Sequence, residues 1–244
     1  MANDTILMTG AGTGIGLAMA RLFLAEGHRV IGIGRRPDVL EAARAAAPGL
    51  VTRPCDITRP GDRVALVHWL GTEHADLSML VNNAGIQRAA DFANAPPSDD
   101  AVTAEIAVNL AAPIQLTAAL LPLLRRQPRA RVVNVTSGLA FCPLASVPVY
   151  CATKAALHSF TLSLRHQLRA TPVRVIEIAP PIVDTELDQG RRGPADRPGM
   201  TAEAFAEAAL AGLRDGQEEI VVGFAQGLRT QGEAMFGRLN PSGV

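Results

Sequence analysis

Thr9-Gly10-Ala11-Gly12-Thr13-Gly14-Ile15-Gly16 follows directly on the apolar run Thr5–Met8 and leads straight into the helical pattern Ile15–Glu26. A strand, a glycine-rich turn and a helix N-terminus in immediate succession make a phosphate cradle. The glycines let the backbone approach an anion, and the free N–H groups and dipole of the helix favour it. The glycine spacing is Gly10-x-x-x-Gly14-x-Gly16 rather than the G-x-G-x-x-G form. Outward from this stretch, strand runs recur at Arg29–Ile33, Leu50–Arg53, Met79–Val81, Arg131–Val135, Arg174–Ile178 and Glu219–Val222. Between them lie helical patterns at Asp38–Ala46, Gly61–Leu70, Asp99–Arg126, Tyr150–Arg169 and Ala202–Arg214. This alternation predicts βαβ units and an α/β fold, a doubly wound parallel sheet with helices on both faces. No repeat or linker divides the 244 residues, so one domain, 1–244, is expected to carry the whole site.

Composition removes several classes of function. Twenty-three basic residues balance 23 acidic ones, which argues against a nucleic-acid partner. Cys55, Cys142 and Cys151 are too irregularly spaced for a zinc set or a disulfide framework, and no metal site is expected. Met1-Ala2-Asn3-Asp4 lacks the basic start of a signal peptide. The uncharged stretch Ile106–Leu124 is long enough to raise a membrane span, but it carries Asn109, Pro113, Gln115 and Pro122. A soluble, cytoplasmic protein is expected, with this helix buried in protein, against another subunit included.

The chain has one tyrosine, Tyr150, and one lysine, Lys154; its other 22 basic residues are arginine. The two are four apart at the start of a helical pattern and so share a face. A phenol with a pKa near 10 is a poor base, and an adjacent ammonium stabilises its phenolate. Arginine has a different geometry, so one retained lysine points to a need for a compact ammonium. At the end of the second strand stand Gly34-Arg35-Arg36. An acid there would meet the ribose 2′-hydroxyl of NAD, whereas guanidinium groups suit the 2′-phosphate of NADP. NADP is expected, with NAD as the alternative. Asp56, Asn82-Asn83-Ala84-Gly85 and Ser137 fall at the carboxyl ends of the third, fourth and fifth strands, where such sheets bind ligands.

These residues together resemble the short-chain dehydrogenase/reductase family in its compact single-domain branch, over roughly residues 5–224. The thirteen positions from Ser137 to Tyr150 match the family's interval. The resemblance implies a seven-stranded Rossmann sheet and hydride transfer between a nicotinamide cofactor and a carbonyl/alcohol pair. It assigns Tyr150 as general acid/base and Lys154 as its activator and a ligand of the nicotinamide ribose. Ser137 would hydrogen-bond the substrate oxygen, and Asn109 would complete a proton relay through water. Gly10, Thr13, Gly14, Ile15, Gly16, Arg35, Arg36, Asp56, Ile57, Asn83, Ala84, Gly85, Tyr150, Lys154, Pro180, Val183 and Thr185 would bind the cofactor. Pro113, four residues after Asn109, has no N–H to offer its carbonyl and should open the helix there.

Two departures stand out. Where the family has Pro-Gly after the sixth strand, this chain reads Pro180-Pro181, which fixes φ and stiffens the loop. Gly12-Thr13 replaces a hydroxyl followed by a basic residue, leaving Arg35 as the main phosphate contact. The run Pro180-Pro181-Ile182-Val183-Asp184-Thr185-Glu186-Leu187 resembles a sub-branch associated with D-alanylation of teichoic acid, a context rather than a chemistry. Leu139, Phe141, Leu144 and Val147 are expected to bound a small-molecule carbonyl or alcohol, with segment 186–200 as a lid hinged at Gly190, Gly193 and Gly199. A homodimer or homotetramer is expected. A nucleotide-sugar epimerase would need a longer chain, and a silent cofactor-binding scaffold tends to lose the Tyr or the Lys. His68, His74 and Cys151 are read as packing residues, and Leu228–Leu239 as a cover for the fold or for a second subunit.

Overall fold

The computed structural model of the chain describes residues 4–188 and 199–241. Seven strands, β1 (Thr5–Thr9), β2 (Arg29–Gly34), β3 (Val51–Pro54), β4 (Leu77–Asn82), β5 (Ala130–Val135), β6 (Val173–Ala179) and β7 (Glu219–Val221), form one sheet in the order β3-β2-β1-β4-β5-β6-β7. Every neighbouring pair is parallel. The order reverses between β1 and β4, and a crevice opens there beyond the strands' carboxyl ends. The expected Rossmann sheet is present.

The helices are α1 (Gly14–Ala25), α2 (Pro37–Ala46), α3 (Pro60–Glu73), α4 (Asp99–Ile106), α5 (Ala112–Leu124), α6 (Pro148–Leu168), α7 (Ala202–Arg214), α8 (Ala225–Gln231) and α9 (Phe236–Leu239). Proline supplies the pre-set φ in the first turn of α2, α3 and α6. Ser98 and Thr201 cap α4 and α7 by accepting from Ala101 and Ala204 N–H. The strands read as near-continuous apolar runs because both faces are covered. On one face Ile6, Met8, Val133 and Ile178 pack with Met19 and Phe23 of α1 and Phe205 and Leu210 of α7. On the other, Leu7, Ile31, Leu80 and Val132 pack with Leu66 of α3, Leu116 and Leu120 of α5 and Leu164 of α6. Each such side chain contributes about 1.5–3 kcal/mol.

The run Asp99–Leu124 is long and apolar enough to cross a membrane by length and composition. Its α5 part packs in the core, with Leu116, Leu120, Leu123 and Leu124 buried against the sheet. It is not continuous: Ala107–Ala111 form a π turn between α4 and α5. Pro113 sits in the first turn of α5, so the expected opening at Asn109 takes the form of a switch in hydrogen-bond register. The expected tail cover resolves into α8 and α9, joined by a 3₁₀ turn at Gly232–Met235. Leu228 and Met235 bury Cys142, and α8 sits so close to the chain after Ser137 that a Cβ on Gly138 would lie 2.8 Å from the Ala225 Cβ.

Candidate active site

The β1–α1 turn is built by close approach. Gly10 and Gly14 adopt φ values of +68° and +52°, and a Cβ on Gly10 would come within 2.9 Å of the Ala84 Cα. Gly16 serves another purpose, since a Cβ there would lie 2.2 Å from the Gly10 carbonyl oxygen. It packs the turn onto itself and is not among the residues that line the neighbouring cavity. The turn is also tied to the end of β4. Thr9 Oγ1 accepts from Asn83 and Ala84 N–H at 3.0 and 2.9 Å, and Asn83 Nδ2 donates to the Thr9 and Gly10 carbonyls. Sequence does not single out Thr9, although it opens the decisive stretch.

A cavity of about 470 Å³ runs along this turn, with Arg35, Arg36, Asp56 and Ile57 at one end and Tyr150 and Lys154 at the other. Gly10, Thr13, Gly14, Ile15, Asn83, Ala84, Gly85, Pro180 and Thr185 line it between. Its walls also include Cys55, Val108 and Thr136. Val183 does not line it; that residue bridges to Met200, locked by Asp184 N–H to Met200 O (2.8 Å) and Met200 N–H to Ile182 O (2.9 Å). Residues 189–198 of the expected lid, Gly190 and Gly193 among them, lie outside the described residues. The Gly199 N–H donates to Asp184 Oδ1 at 2.9 Å.

The cavity fits a dinucleotide. Thr13 at the N-cap of α1 makes no side-chain capping bond, so the first N–H groups of a 12-residue helix face the cavity wall for an anion to meet. At Gly12 a Cβ would close to 2.8 Å from Val39 Cγ1, filling the cradle. At the far end, burial raises the Asp56 carboxyl. The Thr58 O–H and N–H bonds (2.7 and 3.0 Å) and the nearby Arg35 and Arg59 outweigh that and hold it below the usual carboxylate range. Asp56 is therefore an ionised acceptor beside two guanidinium groups.

At the opposite end Tyr150 and Lys154 are both buried on the inner face of α6. Burial pushes the phenol well above its ordinary value, opposed by its hydrogen bond to Ser137. Burial also brings the ammonium down to about 8, which leaves it mostly charged at neutral pH. Lys154 Nζ lies 5.6 Å from the Tyr150 ring centroid and donates to the Val135 carbonyl at 2.8 Å. The carbonyl at the end of β5 thus anchors the ammonium alongside the phenol rather than in direct hydrogen bond with it. Ser137 is positioned by its extended backbone and by the Leu139 N–H donated to its Oγ at 3.1 Å.

Asn109, within the π turn, is fully buried. Its Oδ1 accepts from Ile86 N–H (2.9 Å), and its Nδ2 donates to Ile86 O (2.8 Å) and Thr153 Oγ1 (3.2 Å). The side chain thereby pins the chain after Gly85 to the helix that carries Tyr150. Leu139, Leu144 and Val147 cluster with Tyr150 and Leu187. Phe141 lines a second cavity together with Leu139 and Leu144, its ring edge-on to His158 (5.1 Å) and under the Arg229 guanidinium (5.1 Å). Cys151 is held by Leu144, whose N–H meets Sγ at 3.3 Å, and burial raises its thiol, so it serves packing. His74 stacks edge-on with Trp69 at 4.5 Å, again a packing role.

The profile of the short chain dehydrogenase family matches residues 4–195. The chain belongs to the short-chain dehydrogenase/reductase family and is an oxidoreductase of that family. It is 46% identical over 244 residues to the uncharacterized oxidoreductase DltE of Bacillus subtilis, covering 98% of this chain and 96% of that one. The sub-branch resemblance seen in the sequence holds at that level. It is 34% identical over 201 residues to the NADP-dependent 3-hydroxy acid dehydrogenase YdfG of Salmonella typhi, covering 81% of each chain. Among solved structures, a short chain dehydrogenase from Burkholderia cenocepacia in complex with NADP superposes with a TM-score of 0.82 at 28% identity, over 94% of this chain and 92% of that one.

Proposed function

We propose that the chain is an NADP-dependent carbonyl reductase that runs in reverse as an alcohol dehydrogenase on a small-molecule substrate. The observation that carries this reading is the buried pair Tyr150 and Lys154, with Ser137 beside the phenol, at the inner end of a dinucleotide-shaped cavity. A bound nicotinamide dinucleotide supplies or accepts the hydride. The chain's own residues handle the proton. Tyr150 donates it to the carbonyl oxygen, Ser137 holds that oxygen, and Lys154 keeps the phenol and the cofactor ribose in place. Asn109 closes the relay to solvent with a water at the π turn. Arg35 and Arg36 hold the 2′-phosphate, a reading supported by the name of the NADP-dependent relative and by the NADP bound in the Burkholderia cenocepacia structure. Purified protein should oxidise NADPH with at least one member of a panel of aldehydes, ketones and oxo acids. No turnover with any of them would reject the reading.

We further propose a cytoplasmic homo-oligomer, a dimer or a tetramer. Ile106 on α4 and Leu162 on α6 are 41% and 43% exposed, large apolar side chains left on the surface of two helices that touch one another. Two-fold packing of these helices would cover them. Light scattering at micromolar concentration should give at least twice the 25.6 kDa chain mass. A monomer would refute it.

A further inference from the structure

Behind the candidate active site lies a polar cluster centred on a buried carboxylate. Glu177, on β6, is wholly buried. Thr136, which directly precedes Ser137, donates its hydroxyl to Glu177 Oε1 at 2.6 Å. His158 Nδ1 lies 2.8 Å from Glu177 Oε2. Glu219, in register with Glu177 on β7, accepts from Arg229 Nε at 3.0 Å. His158, Glu177 and Glu219 present ligand atoms within 4.8 Å of one another, a set that resembles a metal site. The guanidinium on Glu219 and the imidazole on Glu177 already fill those positions with hydrogen bonds, so the cluster reads as a self-contained network.

Its place in the fold gives it a role. His158 lies one helical turn beyond Lys154 on α6, so the two share a face. Lys154 ties α6 to Val135, and His158 ties it, through Glu177, to Thr136. Two adjacent residues at the end of β5 are thus fastened to two successive turns of the helix that bears Tyr150. The next residue along the chain is Ser137, whose hydroxyl must reach the Tyr150 phenol. Phe141, set edge-on against His158, fastens the far side of the same loop.

We propose that Glu177 is a positioning residue. Its bonds to Thr136 and His158 set the spacing between β5 and α6, and so the Ser137–Tyr150 geometry on which proton transfer depends. This rests on the reaction proposed above. Glu177 touches neither the cavity nor the reacting atoms and acts only through its two partners. Carboxylate and amide side chains both satisfy those partners, whereas an alkyl group satisfies neither.

The test compares Glu177→Leu, close in volume but without polar atoms, with Glu177→Gln, which keeps the bonds. Glu177→Leu should lower kcat at least about tenfold while the KM for NADPH stays within about twofold. Glu177→Gln should stay within about threefold of wild type in kcat. The second readout needs no turnover. Tyr150 is the chain's sole tyrosine, so biosynthetic fluorotyrosine gives a single fluorine NMR resonance from the site. That resonance should move in Glu177→Leu and return to the wild-type position in Glu177→Gln.

A folded Glu177→Leu with the wild-type resonance and kcat within about twofold overturns the proposal, as do equal losses in the two variants. If Glu177→Leu does not fold, Thr136→Val, which removes one hydroxyl at nearly constant volume, is judged by the same two readouts. A displaced resonance supports the proposal, and an unchanged one with wild-type kcat overturns it. Should wild type reduce no carbonyl, the proposed reaction fails while the fluorine comparison still judges the tie.

Discussion

Lys154→Arg should lower kcat by at least about 100-fold, near 2.7 kcal/mol, although it leaves net charge unchanged. The ammonium sits in a space sized for it, 4% exposed, with one carbonyl acceptor at 2.8 Å and the Gly85 backbone close by: a Cβ on Gly85 would lie 3.7 Å from Nζ. Arginine brings a planar fork with five donors, for which the described contacts provide one acceptor. The energetics give the charge a clear purpose. Burial alone carries the phenol away from neutrality, so something must favour the phenolate. A unit charge at about 5 Å, in an effective dielectric near 20, is worth about 3 kcal/mol, or roughly two pKa units. Displacing it returns the phenol to the value burial imposes. Tyr150→Phe should lose more still while binding NADPH normally. The check is steady-state kinetics on any accepted carbonyl, with cofactor affinity measured separately. If Lys154→Arg keeps more than about a tenth of the wild-type rate, the ammonium's geometry is not what proton transfer needs.

Arg35→Asp should reverse cofactor choice. Wild type is expected to prefer NADPH to NADH by about 1.5–3 kcal/mol, roughly 10- to 150-fold, from charge-assisted bonds to the 2′-phosphate. Gly34 leaves no carboxylate at the end of β2, and Arg35 and Arg36 stand on the cavity wall. Aspartate at position 35 would repel the phosphate and accept from a ribose 2′-hydroxyl. Fluorescence titration of both cofactors decides the matter; equal or tighter NADH binding by wild type would sink the claim.

Sequence alone disclosed what depends on periodicity and short offsets. The buried strands announced themselves as β-branched runs, and their order with the helices implied the sheet. Tyr150 and Lys154 are neighbours on one helix, so their spacing sufficed to pair them. What escaped was set by register between distant segments. Glu177 stands amid the apolar residues of β6, a signal that it needs partners. Nothing in the string says that those partners are His158, 19 residues away, and Thr136, 41 away. Gly16 looked like a ligand contact because the motif includes it, yet its neighbour is the Gly10 carbonyl. Val183 is taken from the cavity wall by pairing with Met200, a partner 17 positions on.

The tie between Thr9 and Asn83–Ala84 bears on the birth of the molecule. The glycine turn leaves the ribosome before its scaffold, the end of β4, which emerges some 74 residues later. Until β4 slots in beside β1, the cradle has only one wall, and the nascent chain presents bare apolar strand edges. Such long-range parallel pairing is slow and exposes the chain to misassociation. Nucleotide can grip only after that docking. Cellular cofactor would therefore act as a late clamp, stabilising finished molecules by mass action while doing nothing for half-made ones.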